Sequence, residues 1–494
     1  MAIAMGMTTG TVFAQDQYDL GRLSTSDLNG TARYIGMGGA MSALGADISS
    51  MSNNPAGLGI YRSSDISVTA GLNMLNAGNL NQNGTTRGSF DQIGVAIASK
   101  YSNYSSLKYI NYGFNYHRRA NFFDDFTIDD NWTGEFSQTF QMEQLTYGEN
   151  ISNMPALAAA AAKSGALIKN GSNEYLGQGA YDTYYSTRST GGIHDYDFSV
   201  AFNWQDQYFL GVTVGYSHAS FDRGTWYTEY LGDDTSYDMY NYYRTRGDGM
   251  NFKLGGIIRP VDESNFRFGL SLQSPTFYLM TDENGVDITS YDQDGTEMGN
   301  GYSYADPVDY QFSTPWKFNF SLGTTWSDKI ALGAEYELQD YQSIKIHDHD
   351  GYDNDYTMLV RDLVKSDLRT VHTFKVGGEF KVTPSVALRA GYNFSTAVYE
   401  KNAYRSLADF TDIYVDTFTE TSYSNSMNLH RLTCGIGYRT SSFYADLAYQ
   451  YTMQKADFYP FDDSYEYNGS TTYVPGTEIK KNRSKLSLTL GYRF

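Results

Sequence analysis

From residue 64 to the C-terminus, apolar and polar residues alternate with period two in one segment after another. Successive side chains of an extended strand point to opposite faces, so this pattern gives each segment one greasy face and one polar or small-residue face. Ile66, Val68, Ala70 and Leu72 share a face, as do Tyr196, Phe198, Val200, Phe202 and Trp204. Tyr208, Leu210, Val212, Val214 and Tyr216 follow, then Trp316, Phe318, Phe320 and Leu322, then Leu432, Cys434, Ile436 and Tyr438. The last nine residues are the most regular: Leu486, Leu488, Leu490, Tyr492 and Phe494 face one way, and Ser487, Thr489, Gly491 and Arg493 the other. The pattern predicts fourteen strands, at 64–75, 88–101, 108–118, 192–204, 207–222, 247–260, 265–280, 308–326, 329–348, 368–383, 385–400, 426–440, 442–458 and 479–494.

The connections alternate as well. Gln205-Asp206-Gln207, Val261 to Ser264, Ser327-Asp328, Thr383-Pro384 and Thr440-Ser441 are tight, whereas 119–191, 223–246, 281–307, 349–367, 401–425 and 459–478 are long. Transmembrane barrels have short turns on one side of the membrane and long loops on the other. An even strand number then returns both termini to the short-turn side. Trp204, Tyr208, Trp326, Tyr438, Phe443, Tyr492 and Phe494 lie beside the short turns, where an interfacial aromatic girdle belongs. The predicted fold is an all-β, fourteen-stranded antiparallel transmembrane barrel. Its last strand, ending on an aromatic carboxylate, resembles the C-terminal signal of bacterial outer-membrane barrels. That resemblance implies the outer membrane of a Gram-negative cell and a barrel-assembly machinery that engages Phe494.

Composition agrees with this reading. The 494 residues are only 41% hydrophobic, yet 16% are aromatic, with 45 Tyr and 48 Gly. A barrel looks polar on average because lumenal and lipid-facing residues alternate. Beyond the extreme N-terminus no run of about 18 apolar residues exists, which excludes a helical membrane protein. The single cysteine, Cys434, excludes a disulfide framework and a cysteine-based zinc site. A formal net charge of −20 makes nucleic acid a poor ligand, since a phosphate binder needs a basic face.

Residues 1–14 read as the tail of a secretory signal with a small-residue cleavage site before Gln15. Residues 15–63 precede the first strand and are rich in Gly, Ser, Ala and Asn. Gly36-Met-Gly-Gly39 follows no strand and lacks the third glycine of a dinucleotide fingerprint. The stretch Ala32 to Ala40, then Asp47, then Asn53-Asn54-Pro55-Ala56-Gly57-Leu58 resembles the N-terminal signature of the FadL/TodX family of outer-membrane transporters. Gln273-Ser-Pro-Thr-Phe277, Thr314-Pro-Trp316, Gly333-Ala-Glu-Tyr-Glu337, Gly377-Gly-Glu-Phe380, Leu388-Arg-Ala-Gly-Tyr392 and Gly435-Ile-Gly-Tyr-Arg439 look similar to elements of the same family.

The resemblance implies that 15–63 folds as a hatch inside the lumen and that Asn53, Asn54, Pro55, Ala56 and Gly57 take part in gating. It also implies passive inward transport of hydrophobic small molecules, fatty-acid-like or aromatic, with exit through a gap in the wall. Long acidic, Tyr-rich loops look like those of Bacteroidetes members. Some of these serve as PorV-type secretion scaffolds, which leaves a protein-binding barrel, or a haem or surface-ligand receptor, as alternatives.

Candidate chemistry is sparse. Asn153 as a cap, Pro155 in the first turn and the alanine run predict a helix over 154–168, inside the first long loop. Met154, Leu157, Ala158, Ala161, Leu167 and Ile168 would form its apolar strip, either admitting a hydrophobic ligand or packing on the barrel. Inward-facing charges recur at Asp195, Asp197, Lys253, Arg267, Lys317, Glu335, Glu337, Lys375, Glu379, Arg389, Arg431, Arg439 and Arg493. Their mixed signs predict a lumenal ion-pair network, with binding of a carboxylate head group as the sharper alternative. His347-Asp-His-Asp350 is the one metal-like cluster, and in a strand its histidines and aspartates face opposite ways, so a solvated loop is the expectation. No nucleophile motif surrounds any of the seven histidines, so neither catalysis nor a cofactor is expected.

Overall fold

The computed structural model describes residues 15–494 apart from 78–85, 103, 130–135, 147–149, 173, 262–263, 406–418, 462–464, 468–469, 473 and 475. The signal-peptide reading of 1–14 therefore lies outside the described residues, as does the side chain of Asn153.

Fourteen strands form the wall. They are β1 (Asp65–Ala77), β2 (Thr86–Lys100), β3 (Leu107–Asn121), β4 (Ala180–Trp204), β5 (Tyr208–Leu231), β6 (Ser236–Ile258) and β7 (Arg267–Gln273 continued by Phe277–Tyr291). There follow β8 (Val308–Ser313 with Lys317–Trp326), β9 (Ile330–Asp340 with Lys345–Asp348), β10 (Thr370–Lys381), β11 (Val386–Ser395), β12 (Tyr423–Arg439), β13 (Phe443–Tyr459) and β14 (Thr477–Arg493). Each pairs antiparallel with its sequence neighbours, and β1 pairs with β14 from Asp65↔Arg493 to Ala77↔Lys481, which closes the barrel. All fourteen predicted segments coincide with these strands.

The wall is inside-out relative to a soluble protein. Val68, Leu72, Leu210, Val212, Phe252, Leu270, Phe320, Leu332, Val376, Leu388, Ile436 and Leu490 face outward and are exposed, while Thr69, Gln92, Asn111, Asn115, Thr213, Asn251 and Thr489 face inward and are buried. Exposed Tyr208, Trp326, Tyr438, Phe443 and Phe494 ring the short-turn end. At the opposite edge of the apolar band, tyrosine hydroxyls bond histidine rings on the next strand: Tyr116–His194 at 2.8 Å, Tyr336–His372 at 2.8 Å and Tyr392–His430 at 2.7 Å. An apolar band between two amphipathic girdles is the exterior of a barrel in a bilayer. Among the described residues no helix is long and apolar enough to cross a membrane.

The long-loop end departs from expectation in one respect. Residues 223–246 are not an open loop, because β5 and β6 continue outward and meet at a four-residue turn, 232–235. Likewise, β7 runs on to Tyr291 and pairs with a further strand, Glu297–Tyr304. Alternation with β-branched and aromatic residues continues past the membrane edge, and it sustains the ladder there too.

Helices α3 (Gln138–Gln144) and α4 (Ala156–Ser164) lie in the first long loop; α4 falls in the predicted 154–168 helix, but Pro155 stands at its N-cap rather than in its first turn, and Gly165 ends it at φ +85°. Helix α5 (Asp355–Asp367) lies in the loop between β9 and β10, capped by Asn354. Two further helices, α1 (Gln17–Leu23) and α2 (Ala32–Gly36), belong to the 15–63 segment, which is threaded through the lumen.

Candidate functional site

The threaded segment is held at both ends. Asp16 and Asp19 form a capping box on α1, and Arg405 from an outer loop donates to Asp16. Burial works against the Arg405 charge, yet Asp16 and Asp19 outweigh it and hold the guanidinium above its ordinary range. The Gln17 amide donates to Asp367 at the end of α5, 2.8 Å away, and to the Tyr404 carbonyl. At the short-turn end the Asn-Pro-Ala-Gly turn is an anchor. The Asn54 side chain accepts from the Ala56 N–H at 3.1 Å and donates to the Gly256 carbonyl at 3.3 Å, while the Asn53 amide donates to the Tyr34 hydroxyl at 2.7 Å. Pro55 and Asn54 lie so close to Gly211 and Gly255 that any Cβ there would overlap them, and Gly57 sits against Gly45. Glycine in these strands lets the hatch backbone approach the wall.

Eleven of the thirteen predicted lumenal charges lie in ion pairs, several of which tie the 15–63 segment to the wall, whereas Arg267 donates to the Leu44 carbonyl at 2.7 Å and no ion pair forms at Arg439 among the described residues. Arg389 bridges Glu379 and Asp446, both at 2.6 Å, and Arg33 of α2 joins Glu379 at 2.9 Å. Lys375 lies 3.1 Å from Glu337 and 3.6 Å from Glu335, and Lys317 lies 3.2 Å from Glu337. Glu335 accepts the Ser42 N–H. Arg431 donates to Asn393 at 3.1 Å and faces Asp27 at 3.7 Å.

Between α1 above and α2 below lies a cavity of about 420 Å³. Its roof is aromatic, built from two ring groups: Phe122 with Phe221, 5.5 Å between centroids, and Phe126 with Tyr185 and Phe458, the last two 4.7 Å apart. Its sides carry twelve Lys and Arg residues but only four Asp and Glu. Six further carboxylates stand behind, so every one of the twelve cations has a partner within 4.0 Å, and cations exceed carboxylates by two. The Nε atoms of Arg118 and Arg119 have no hydrogen-bond acceptor among the described residues. The cavity is thus amphiphilic, with a greasy roof over a cationic wall.

The wall beside this cavity is open. β2 pairs with β3 from Lys100↔Tyr109 to Gln92↔His117 and no further. Above that point Thr86–Phe90 pairs only with β1, and Arg118, Ala120 and Asn121 only with β4. Both strands carry a bulge at the split: Asp91 is skipped in the β1–β2 register, and Arg119 in the β3–β4 register. A bulge inserts one residue, bends its strand and terminates pairing. It also turns Asp91 and Gln92 inward together, where Asp91 meets Arg118 at 3.0 Å and Lys485 at 2.9 Å.

A free sheet edge leaves unpaired backbone groups, which at membrane depth need partners. Here the hatch supplies them. The Asp27 N–H donates to the Arg119 carbonyl at 2.7 Å, the Asn121 N–H donates to the Asp27 carboxylate at 2.9 Å, and the Asn29 amide donates to the Arg118 carbonyl at 2.8 Å. Asn29 also accepts from Lys485 at 2.6 Å. On the outer side the Arg87 guanidinium lies 3.8 Å from the Phe123 ring centroid and spans the opening. Asp27, Asn29, Arg87 and Phe123 escaped the sequence reading, because polar loop residues and one arginine carry no periodic signal.

Of the proposed loop-helix strip, Met154, Leu157, Ala158, Ala161 and Leu167 are buried in a cluster with Met142 and Leu145, whereas Ile168 is 45% exposed on a two-residue strand. The helix backbone rests against Gly299 and Gly301 of the outer hairpin. The expected His347 loop is in part strand: His347 lies on the outer stretch of β9, paired with Gln311, and bonds Asp353 at 2.8 Å, while Arg361, 2.6 Å away, holds the Asp353 carboxyl below its ordinary value. Among the described residues no three metal-ligating side chains converge.

No family model and no curated protein matches the sequence. Solved structures do. A FadL homologue of Pseudomonas aeruginosa aligns over 95% of this chain and 99% of its own, with TM-score 0.54 at 14% identity. The toluene transporter TbuX of Ralstonia pickettii aligns over 94% and 99%, with TM-score 0.51 at 12% identity. The chain has the fold of these FadL-type barrels.

Proposed function

We propose that this barrel takes hydrophobic small molecules from outside the cell into the outer membrane, and that its preferred cargo is an amphiphile with an acidic head, such as a long-chain fatty acid. The observation that carries this reading is the gap between β2 and β3, which opens sideways from an amphiphilic cavity. An apolar tail gains by leaving water for the aromatic roof, and from there for the bilayer, so a concentration gradient suffices as driving force. A carboxylate can share the N–H groups of Arg118 and Arg119, which two-point guanidinium geometry favours. A cavity of this size falls within the roughly 300–1,000 Å³ typical of small-molecule sites.

The hatch divides its labour. Asn53 to Gly57 hold it to the wall, while Asp27 and Asn29 latch the free edge of β3 until cargo displaces them. The buried strip from Met154 to Leu167 supports the roof, and among the strip residues only Ile168 is exposed enough to meet incoming cargo. A wall sealed all round would favour a secretion scaffold instead; this wall is not sealed. In the same reading Phe494, exposed beside Tyr492 at the end of β14, is offered to the assembly machinery.

Cells of an uptake-deficient host carrying this protein should accumulate radiolabelled oleate several-fold faster than vector controls, and faster than they accumulate toluene. Equal rates with and without the protein would remove the transport reading. Faster toluene uptake would leave transport but overturn the acid-headed cargo.

A further inference from the structure

Strands β5 to β7 rise well beyond the membrane, and their outward face there is unlike the loops around it. Tyr216 stands in the outer girdle through the row Tyr116↔Tyr196↔Tyr216, and above it the first rows are ionic: Arg244 lies 2.7 Å from Asp222 and 3.3 Å from Glu283, with Arg246 beside them. The next rows are aromatic. Ladder partners Trp226↔Tyr240↔Asp287↔Tyr302 form one row, and Gly224↔Tyr242↔Gly285↔Tyr304 the row below it. Trp226 and Tyr240 have ring centroids 4.9 Å apart, Tyr242 and Tyr304 5.9 Å, and Tyr302 and Tyr304 5.6 Å. Tyr302 and Tyr304 remain 59% and 57% exposed, and Trp226 47%.

Ten residues separate Tyr216 from Trp226, about 33 Å along the strand. At the usual barrel tilt the rings stand about 25 Å above the girdle. No bilayer reaches that far, so lipid tails do not explain them.

The rings are interleaved with hydrogen-bonding groups. Asp287 accepts from Asn300 at 2.7 Å, and Asp238 accepts from Thr228 at 2.6 Å, in the row above the rings. A protein partner selects against this pattern, because carboxylates are depleted in the buried centre of protein interfaces. A sugar chain suits it: each pyranose has an apolar C–H face to stack on a ring and hydroxyls at its rim to donate to a carboxylate. This face is also continuous, strand by strand, with the lipid-facing surface below, so a chain that rises from a neighbouring lipid runs along it.

We infer that the outward face around Trp226, Tyr240, Tyr302 and Tyr304 holds the sugar chain of a glycolipid in the surrounding outer leaflet. Asp238, Asp287 and Asn300 take its hydroxyls, and Arg244 and Arg246 lie below them, between the rings and the membrane surface. The inference is independent of what the lumen carries.

The test uses the full barrel in phospholipid nanodiscs containing lipopolysaccharide with its core oligosaccharide, or lipid A without the core sugars. Glycolipid retained per barrel after transfer to mild detergent is read by native mass spectrometry. The parent should retain sugar-bearing lipid about tenfold better than Trp226→Ala/Tyr240→Ala/Tyr302→Ala, with lipid A held equally by both. Heat-modifiable gel migration checks folding, and the milder Tyr304→Ala should fall between. Equal retention of sugar-bearing lipid by parent and triple variant overturns the inference, as does a parent that retains none. Binding of free core oligosaccharide without retention of the lipid-borne form would overturn the source.

Discussion

Deletion of Asp91 should abolish uptake while leaving a folded barrel. Phe90 faces out, Asp91 and Gln92 both face in, and Ile93 faces out again, so Asp91 is the one residue that breaks the period of β2. Removing it restores strict alternation without moving any side chain to the wrong face. The β2–β3 ladder, which now stops at Gln92↔His117, is then free to continue past Arg118 and seal the wall. Loss of the Asp91 carboxylate is a separate effect, and Asp91→Asn isolates it: that variant keeps the bulge and should keep most of its transport. Oleate uptake by the deletion variant at more than about a tenth of the parental rate, with heat-modifiable migration intact, would mean that cargo leaves by another route; a tenfold loss corresponds to about 1.4 kcal/mol of barrier.

The second large effect concerns stability. Lys253 donates to both carboxylate oxygens of Asp197 at 2.8 Å, and both side chains are almost wholly removed from solvent. Asp197→Ala strands a buried ammonium and should lower the unfolding free energy by about 3 kcal/mol or more. Asp197→Leu/Lys253→Met removes both charges and should lie close to the parent, since a buried ion pair and an apolar pair of similar volume are often equivalent. By contrast, Lys455–Glu478 is about half exposed on both sides, and breaking it should leave the unfolding midpoint unchanged, because water and salt screen an exposed pair. Urea titration of barrels refolded in lipid vesicles measures all three. A loss below about 1 kcal/mol for Asp197→Ala would mean that lumenal water screens the network as surface water does.

Much of this molecule is legible in its sequence because a membrane enforces period two so strictly. Leu488, Leu490 and Tyr492 point to lipid and Ser487 and Thr489 to the lumen, as the alternation of β14 requires. The lumenal charges Lys317, Glu335, Glu337, Lys375, Glu379, Arg389 and Arg431 were likewise readable, because a charge on the inward parity of a strand has no other place to go. Their partners were not, since parity fixes a face but not which strands meet the hatch. The bulge left a trace that the strand reading passed over: Phe90 and Ile93 are both outward yet three residues apart, an odd step in an even pattern. The latch left none, for Asp27 and Asn29 work through backbone groups of β3 that only the fold brings near. The outward growth of β5 and β6 was missed for a simpler reason: reading strands by the thickness of a bilayer stops them where lipid stops.

The alanine-rich helix shows the limit of periodicity from the other direction. Ala156 to Ala161 are all buried, and only Lys163 in the last turn is exposed, so the body of α4 has no solvent face for a strip to stand out against. A helix apolar all round belongs to a core, and here it fills the outer lobe against Gly299 and Gly301.

The most direct test of the account is to close the gap without altering the bulge of β2 or that of β3. In a Cys434→Ser background, Arg87→Cys and Phe123→Cys place one thiol on each side of the opening, where guanidinium and ring now meet. A short, reductively cleavable bis-thiol linker is applied to intact cells, and oleate uptake is followed before linking, after linking and after cleavage. If cargo leaves between β2 and β3, uptake falls to the vector level on linking and returns on cleavage. Unchanged uptake in fully linked protein would place the exit elsewhere and contradict the account.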